Sequence, residues 1–470
     1  MMEMDPILLG EILAGTLFFG IIFVLALGFP VAYTLAGTSL MIAAIGWYFE
    51  VFDFSNFGAL ASRYVGFMSS EVLVAVPLFI FMGVLLERSG IAEALLTTMG
   101  RLFGNVRGGL GFSVIIVGAL LAASTGVVGA TVVTMGLISL PAMLRAGYDP
   151  KLGAGVIAAS GTLGQIIPPS TILIFMGDML SGINAQVQMS KGNFAPTPVS
   201  VGDLFVGAIL PSAVLVGLYM LYMAGKAVFD PKSCPATPFQ REEGGHGLGR
   251  EIVTALLPPL ALILAVLGSI LGGIATPTEA ASVGSVGALL LIAIKGRFSL
   301  RMLQQACLST ATITSMVFTL LLGAAVFSIV FRILGGEDLV HALLSSLPGG
   351  TMGALISVML VMFLLGFVLD TFEVIFIIIP ITAPVLLGMD VDPVWLGVLV
   401  GINLQTSFMT PPFGFSLIYL RGVAPASVTT GMIYRGAVPF VALQLIGLGI
   451  VMAFPELSTW LPAQVFRNGG

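Results

Sequence analysis

Apolar residues fill this chain in long blocks rather than in alternation. Runs of the order of the roughly 20 residues that a helix needs to cross a bilayer occupy 8–29, 31–47, 71–87, 204–226, 251–272, 280–294, 303–331 and 433–455. Between them lie two stretches that are equally apolar but break their own helical pattern. The first, 118–177, breaks at Ser124, Thr125, Gly126 and Gly129, and again from Gly161 to Pro169. The second, 369–420, repeats the plan. Pro141 pairs with Pro384, Asp149 with Asp392, Pro150 with Pro393, Pro168 with Pro411 and Pro169 with Pro412, at a constant offset of 243 (392 − 149 = 243). The same offset pairs 8–29 with 251–272, 31–47 with 274–290 and 71–87 with 314–330, so each half of the chain is one copy. Near 90–104 and 336–350 the register slides by a few residues, and no residue-level equivalence is drawn there. The alternating strands of a membrane barrel are absent. The pattern predicts an all-α polytopic membrane protein made of two repeats, each with five spans and one re-entrant helical hairpin. Paired broken hydrophobic elements are the mark of a secondary transporter.

Basic residues concentrate in cytoplasmic loops and so assign the sides of the membrane. Arg88, Arg101, Arg107, Arg145 and Lys151 flank the first hairpin and place both its ends in the cytoplasm. The corresponding turn of the second copy reads MDVDP, with Asp390 and Asp392 and no basic residue, which places that hairpin's ends outside. Lys232, Arg241 and the group Lys295, Arg297 and Arg301 mark cytoplasmic segments, and the acidic loop around Glu50, Asp53 and Glu71 is external. Followed along the chain, these signs predict an external N-terminus and two repeats of opposite topology. The amphipathic segments 90–104 and 335–350 precede the hairpins and are expected to be interfacial arm helices. The two sizeable polar connections are 178–203 and the Pro/Gly-rich linker 227–250, expected to be a flexible tether.

Composition narrows the class. Of 470 residues, 57% are hydrophobic and 9% charged, against about 25% charged in soluble domains. Mean hydropathy is +1.10. The net charge of −5 resides in loops and termini and carries no nucleic-acid reading. Cys234 and Cys307 form no disulfide framework or metal pattern, and His246 and His341 lack the partners of a metal site or a catalytic triad. No GxxxxGK[ST] phosphate loop occurs, so energy from ATP hydrolysis by this chain is not expected. The N-terminal MMEMDP has neither a basic n-region nor a cleavage site and predicts a retained first span.

Irregular backbone at membrane depth persists only where it is buried in protein or lines a cavity. Each hairpin tip (124–129 and 370–373) can meet the break in the span that follows it (161–169 and 403–412). Freed carbonyls with Ser and Thr hydroxyls supply the hard oxygen ligands that sodium requires, and helix N-termini favour an anionic group. Two pseudo-symmetric cation sites are the expectation. The polar run Thr162, Gln165, Ser170 and Thr171 in one span matches Asn403, Gln405, Thr406, Ser407 and Thr410 in its partner. Interhelical hydrogen bonding explains either run alone; it does not explain why both sit against a Pro-Pro pair. Asp370 has two open readings, a coupling group inside the membrane or a cap of the hairpin turn. Glu373 lies one turn on, where it can also face a water-filled opening. Glu279, after Pro277, has a capping reading as strong as a functional one. Arg332 is expected to snorkel to the outer interface, with contact to an anionic substrate as the alternative.

The segments GYDPKLGAGVIAASGTLGQIIPPS, ATPTEAASVG, FVLDTFEVIFIIIP and INLQTSFMTPPFGFSLIYLRGVAP resemble those of the large membrane subunit of tripartite ATP-independent periplasmic (TRAP) transporters, across nearly the whole chain. The resemblance implies an elevator-type, sodium-driven importer of the bacterial inner membrane. It would take a small anionic substrate from a periplasmic binding protein and work with a smaller four-helix membrane subunit. It implies one sodium site at the first hairpin tip (Ser124, Thr125, Gly126) with Gly161, Thr162, Gly164 and Pro168. A second would use Asp370, Thr371, Asn403, Thr406, Thr410 and Pro411. Gln165, Ser170, Gln405 and Ser407 complete the picture as substrate-facing candidates. Where many relatives carry a Ser-Gly-Ser tip, this chain reads Ala-Ser-Thr-Gly-Val-Val-Gly.

The expected division is a first-repeat scaffold with arm helix (1–107), the first hairpin and broken span (108–177), a scaffold span (178–226) and the cytoplasmic linker (227–250). The second repeat supplies scaffold and arm helix (251–350), the second hairpin and broken span (351–420) and a C-terminal scaffold span (421–470). The two hairpin blocks form the transport domain. The expected function is sodium-coupled import of an organic anion, a carboxylate by preference, with Na+ as coupling ion and no other cofactor. Two alternatives stay open at this point: an anion/sodium symporter needing no binding protein, and a channel. Catalysis is the weakest option, because no catalytic constellation is present.

Overall fold

The computed structural model describes residues 5–125, 128–236 and 252–467. Among them every regular element is a helix. In chain order these are α1 (Pro6–Ala26), α2 (Val31–Tyr48), α3 (Gly58–Ser69), α4 (Glu71–Arg88), α5 (Ile91–Phe103), α6 (Gly109–Thr125), α7 (Val128–Arg145), α8 (Pro150–Thr162), α9 (Thr171–Ser190) and α10 (Val201–Phe229). After the linker follow α11 (Leu257–Leu271), α12 (Pro277–Ile294), α13 (Leu300–Ile333), α14 (Gly336–Ser345), α15 (Gly350–Leu365), α16 (Thr371–Gly388), α17 (Pro393–Met409), α18 (Phe415–Val423), α19 (Thr430–Ala453) and α20 (Glu456–Pro462). Nine helices among the described residues are long and apolar enough to cross a membrane, or ten if the pair 54–69 and 71–88, bent by 51°, is one span.

The offset of 243 read from the sequence reappears in the helix boundaries. α7 runs from 128 to 145 and α16 from 371 to 388; α8 starts at Pro150 and α17 at Pro393. Asp149 caps α8 by accepting from Lys151 N at 2.9 Å, with Pro150 at the first helical position. Asp392 and Pro393 repeat the pair at the start of α17. The peptide bonds Pro168-Pro169 and Pro411-Pro412 are both cis.

Two sequence-based expectations are corrected. The segment 178–203 is not a loop throughout, because α9 continues to Ser190. Its polar residues Asn184, Gln186 and Gln188 read as loop, yet Asn184 and Gln188 side chains donate to Thr197 O and hold the returning chain on the helix. The segment before α4 likewise contains a helix, α3, whose Ser62, Arg63 and Ser69 interrupted the apolar pattern. Of the linker, 237–250 lies outside the described residues, with Arg241 and His246. Its first part is docked: Ser233 O accepts from Asp149 N and Cys234 O from Gly108 N, each at 2.9 Å.

The chain divides into two compact units. One comprises 1–73, 178–199 and 312–393. Within it Tyr64 OH donates to Leu322 O at 3.3 Å and Ser70 Oγ to Asp178 Oδ1 at 3.1 Å. Lys191 Nζ pairs with Asp390 Oδ1 at 2.7 Å. α2 and the second part of α13 approach so closely that a Cβ on Gly323 would lie 2.4 Å from Ala32 O. Beneath α14 an apolar cavity of about 530 Å³ is lined by Phe18, Phe331, Leu343, Val361 and Ile378, among others.

The other unit comprises 74–177, 200–311 and 394–470. Its centre is α8, buried on every side from Leu152 to Thr162 and packed against α6, α7 and, most extensively, α19. Glycines permit this. A Cβ on Gly155 would lie 2.1 Å from Gly436 O, and one on Gly118 2.5 Å from Ser160 Cβ. Small residues let helix backbones approach closely where lipid gives no hydrophobic drive. Trp395 Nε1 donates to Val451 O at 2.9 Å and ties α17 to the same helix α19.

Candidate cation and anion site

In the first broken span, α8 ends at Thr162, one 3₁₀ turn covers Leu163–Gln165, and α9 resumes at Thr171. The carbonyls freed between them are met by hydroxyls. Ser170 Oγ donates to Gln165 O at 2.8 Å, and Ser212 Oγ from α10 to Ile166 O at 3.3 Å. Gly161, Thr162, Gly164, Gln165, Pro168 and Ser170 are all buried. Thr162 Oγ1 donates to Ala159 O at 2.8 Å, which leaves its lone pairs facing away from its own helix. Gly161 has no room for a side chain, since a Cβ would lie 2.3 Å from Val132 Cγ2 of α7. The hairpin helix and the broken span are therefore in contact at the break. Ser124 and Thr125 stand at the C-terminal end of α6; Gly126 lies outside the described residues.

The partner break has the same form. α17 ends at Met409 and α18 begins at Phe415. Thr406 Oγ1 and Thr410 Oγ1 each donate to the carbonyl four residues back, at 2.8 and 2.7 Å. Ser416 Oγ donates to Phe408 O at 2.9 Å and Tyr434 OH to Pro412 O at 2.8 Å. Asn403, Gln405, Thr406 and Ser407 are buried, whereas Thr410 and Pro411 are half-buried and Pro412 exposed. So many buried polar side chains in one span would be costly without partners.

Asp370 and Thr371 belong to the first unit, at the start of α16. Asp370 caps that helix, its carboxylate accepting from Thr371 N at 2.8 Å. Glu373 returns a bond, Oε2 accepting from Asp370 N at 2.8 Å. This is a reciprocal capping box, so the capping reading holds for Asp370. A carboxylate in this role keeps further lone pairs for a ligand. Glu279 forms the same motif with Thr276, exposed. Arg332 Nε pairs with Glu337 Oε2 at 3.3 Å.

Sequence reasoning missed four groups that serve the breaks: Ser212, Ser416, Tyr219 and Gln444. Gln444 Nε2 of α19 lies 2.6 Å from the Tyr219 hydroxyl of α10 and 3.3 Å from Thr162 Oγ1. Gln405 Nε2 lies 3.4 Å from the same hydroxyl. A lone Gln in an apolar span was the available signal for Gln444. Tyr219 gave none, because one Tyr in a long helix is ordinary. Among the described residues no group of three or more His, Cys, Asp or Glu could hold a metal ion.

The architecture has known counterparts. The YdaH transporter of Alcanivorax borkumensis superposes with a TM-score of 0.62 at 15% identity, covering 89% of this chain and 90% of that one. MtrF of Neisseria gonorrhoeae follows at 0.57 and 12%, covering 84% and 83%. In sequence, the C4-dicarboxylate TRAP transporter large permease protein DctM of Vibrio cholerae is 27% identical over 95% of this chain and 96% of its own length. Its counterpart in Rhodobacter capsulatus is 30% identical over 83% and 86%. The ectoine TRAP transporter large permease protein TeaC of Halomonas elongata is 27% identical over 94% and 97%. The family model of the tripartite ATP-independent periplasmic transporter DctM component matches residues 18–457. This multi-pass membrane protein belongs to the DctM family of TRAP transporter large permeases.

Proposed function

We propose that this chain is the large permease subunit of a sodium-coupled secondary importer of a small organic anion in the bacterial inner membrane, its N-terminus external. The observation that carries the proposal is the repeated break. Two spans interrupted at matching Pro-Pro pairs each carry a buried polar run, in a chain of a transporter family. Buried hydroxyls and carbonyls at helix interruptions suit sodium, and helix ends opening on the same cavity suit an anion. Ser124, Thr125, Gly126, Gly161, Thr162, Gly164 and Pro168 are assigned to one sodium site. Asp370, Thr371, Asn403, Thr406, Thr410 and Pro411 are assigned to the other, with Gln165, Ser170, Gln405 and Ser407 facing substrate. A carboxylate is proposed because relatives are named for C4-dicarboxylate and sialic acid.

The two repeats are proposed to be inverted, with the hairpins and broken spans (108–177 and 351–420) moving as one body against the remaining spans in an elevator cycle. A small membrane subunit and a periplasmic binding protein complete the system. Reconstituting the chain with each partner omitted in turn, with a C4-dicarboxylate and a sialic acid as probes, tests this assembly. Uptake only when all three proteins are present supports it. Uptake by the chain alone would favour the symporter without a binding protein, and flux without a counter-ion requirement would favour a channel.

A further inference from the structure

Tyr219, Gln405, Gln444 and Thr162 come from four different helices of the second unit and are all fully buried. The Tyr219 hydroxyl has both amides as neighbours, Gln444 at 2.6 Å and Gln405 at 3.4 Å. With both amide nitrogens turned toward it, Gln405 Oε1 and Gln444 Oε1 are left as buried acceptors without a donor. Such groups are costly in a dry interior. Which end of an amide is oxygen is settled by its hydrogen-bond network. A separation of 2.6 Å is short for N–H···O and ordinary for O–H···O. Turning Gln444 places its oxygen against the phenol, which then donates to it while Gln405 Nε2 donates to the phenol oxygen. Turning Gln405 instead reverses the order, and Gln444 Nε2 then donates to both the phenol and Thr162 Oγ1. One phenol hydrogen cannot serve both amide oxygens. The phenol also has Thr162 as a hydrogen-bond partner, so the cluster has more than one arrangement, and these differ in what Gln444 offers to Thr162: an acceptor where Gln444 is turned, a donor where it is not.

We propose that Tyr219 and Gln444 are positioning residues that join the polar run of the first broken span to that of the second. Their hydrogen bonds order the Thr162 and Gln405 side chains together, so that a cation bound at one run biases the other. Thr162 Oγ1 gives its hydrogen to Ala159 O and has two lone pairs, for which a cation competes with a Gln444 N–H pointed at them. A cation there therefore favours the arrangement in which Tyr219 donates to Gln444 and Gln405 donates to Tyr219. A two-state element biased by both sites is what coupling between them requires. This inference rests on the sodium reading above.

The test is thermal unfolding of the purified full chain across a titration of NaCl against KCl at constant ionic strength. A ligand that binds only the folded state raises the midpoint with concentration. The wild type is expected to show a sodium-specific rise that is cooperative in Na+. In Tyr219→Phe and in Gln444→Met the half-saturating Na+ concentration is expected to rise about fivefold or more and the cooperativity to vanish. Tyr222→Phe is the control. That ring packs on the same Phe440, with centroids 5.1 Å apart, and its sodium response is expected to match the wild type. If either network variant folds and keeps the wild-type half-saturation and cooperativity, with only a lower midpoint in both salts, the residues are structural and the inference is overturned. A wild type without a sodium-specific rise overturns the sodium reading itself and the inference with it.

Discussion

Replacing Gly155 by alanine puts a methyl group into the crossing of α8 and α19. The new Cβ would lie 2.1 Å from Gly436 O and 2.6 Å from Gly436 C. Both are backbone atoms, so no rotamer change relieves the contact. Restoring an ordinary separation of 3.4 Å requires the helices to open by about 1.3 Å (3.4 − 2.1). Over-packing of this kind costs about 1–3 kcal/mol, and the backbone contact places it at the upper end. Alanine recovers about 1 kcal/mol of helix propensity over glycine, which leaves a net loss of about 2 kcal/mol. For a chain of 470 residues that corresponds to a Tm lower by about 2 °C. The assay is tryptophan emission during heating at one fixed scan rate, because large membrane proteins unfold irreversibly. Trp395 reports on this crossing through its bond to Val451 O at 2.9 Å. Gly217→Ala is the internal control, since a Cβ there meets nothing within 4 Å and its midpoint is expected to stay level or rise. A Gly155→Ala midpoint equal to or above the wild type would refute the packing of α8 on α19.

Other measurements follow from the same geometry. Burial pushes the Cys234 thiol above its ordinary range, so little thiolate is present at neutral pH. Cys307 is exposed and is expected to react with a maleimide, whereas Cys234 resists until the protein is unfolded; equal rates would contradict the docked segment 231–236. Asp370→Asn is expected to weaken the sodium dependence of uptake more than Glu279→Gln, which removes only an exposed cap worth about 1 kcal/mol or less. Equal effects would remove the assignment of Asp370 to a cation site. Cysteines placed at Arg145 and Asp390 are expected to label from opposite faces of the membrane. Labelling from one face would end the case for inverted repeats.

Much of this fold was legible in the sequence because a bilayer leaves few choices. A long apolar run must be a helix, and a break in one must be covered. The Asp-Pro pairs that start α8 and α17, and the Pro-Pro pairs that follow them, fixed the repeat to the residue. Helices whose polar residues turn inward or toward water were hidden. α3 and the second half of α9 looked like loop, because Arg63, Asn184 and Gln188 break the apolar pattern. Asn184 and Gln188 bond to Thr197 in the segment that follows their helix, while Arg63 meets Ser328 265 residues away. The partners of the breaks were hidden for the same reason. Ser212 reaches Ile166 O over 46 residues and Gln444 reaches Thr162 over 282, and no local spacing encodes such pairs. Asp370 stood out as a charge in an apolar stretch, but its capping bonds to Thr371 and Glu373 emerge only from the turn geometry.

The central claim is that a sodium gradient drives the import. Proteoliposomes holding the chain with its small subunit, supplied with binding protein and labelled probe anion, measure it directly when external NaCl is exchanged for KCl. Concentrative uptake is expected with an inward sodium gradient and is expected to collapse when that gradient is dissipated. Uptake that persists unchanged without any sodium gradient would contradict the account.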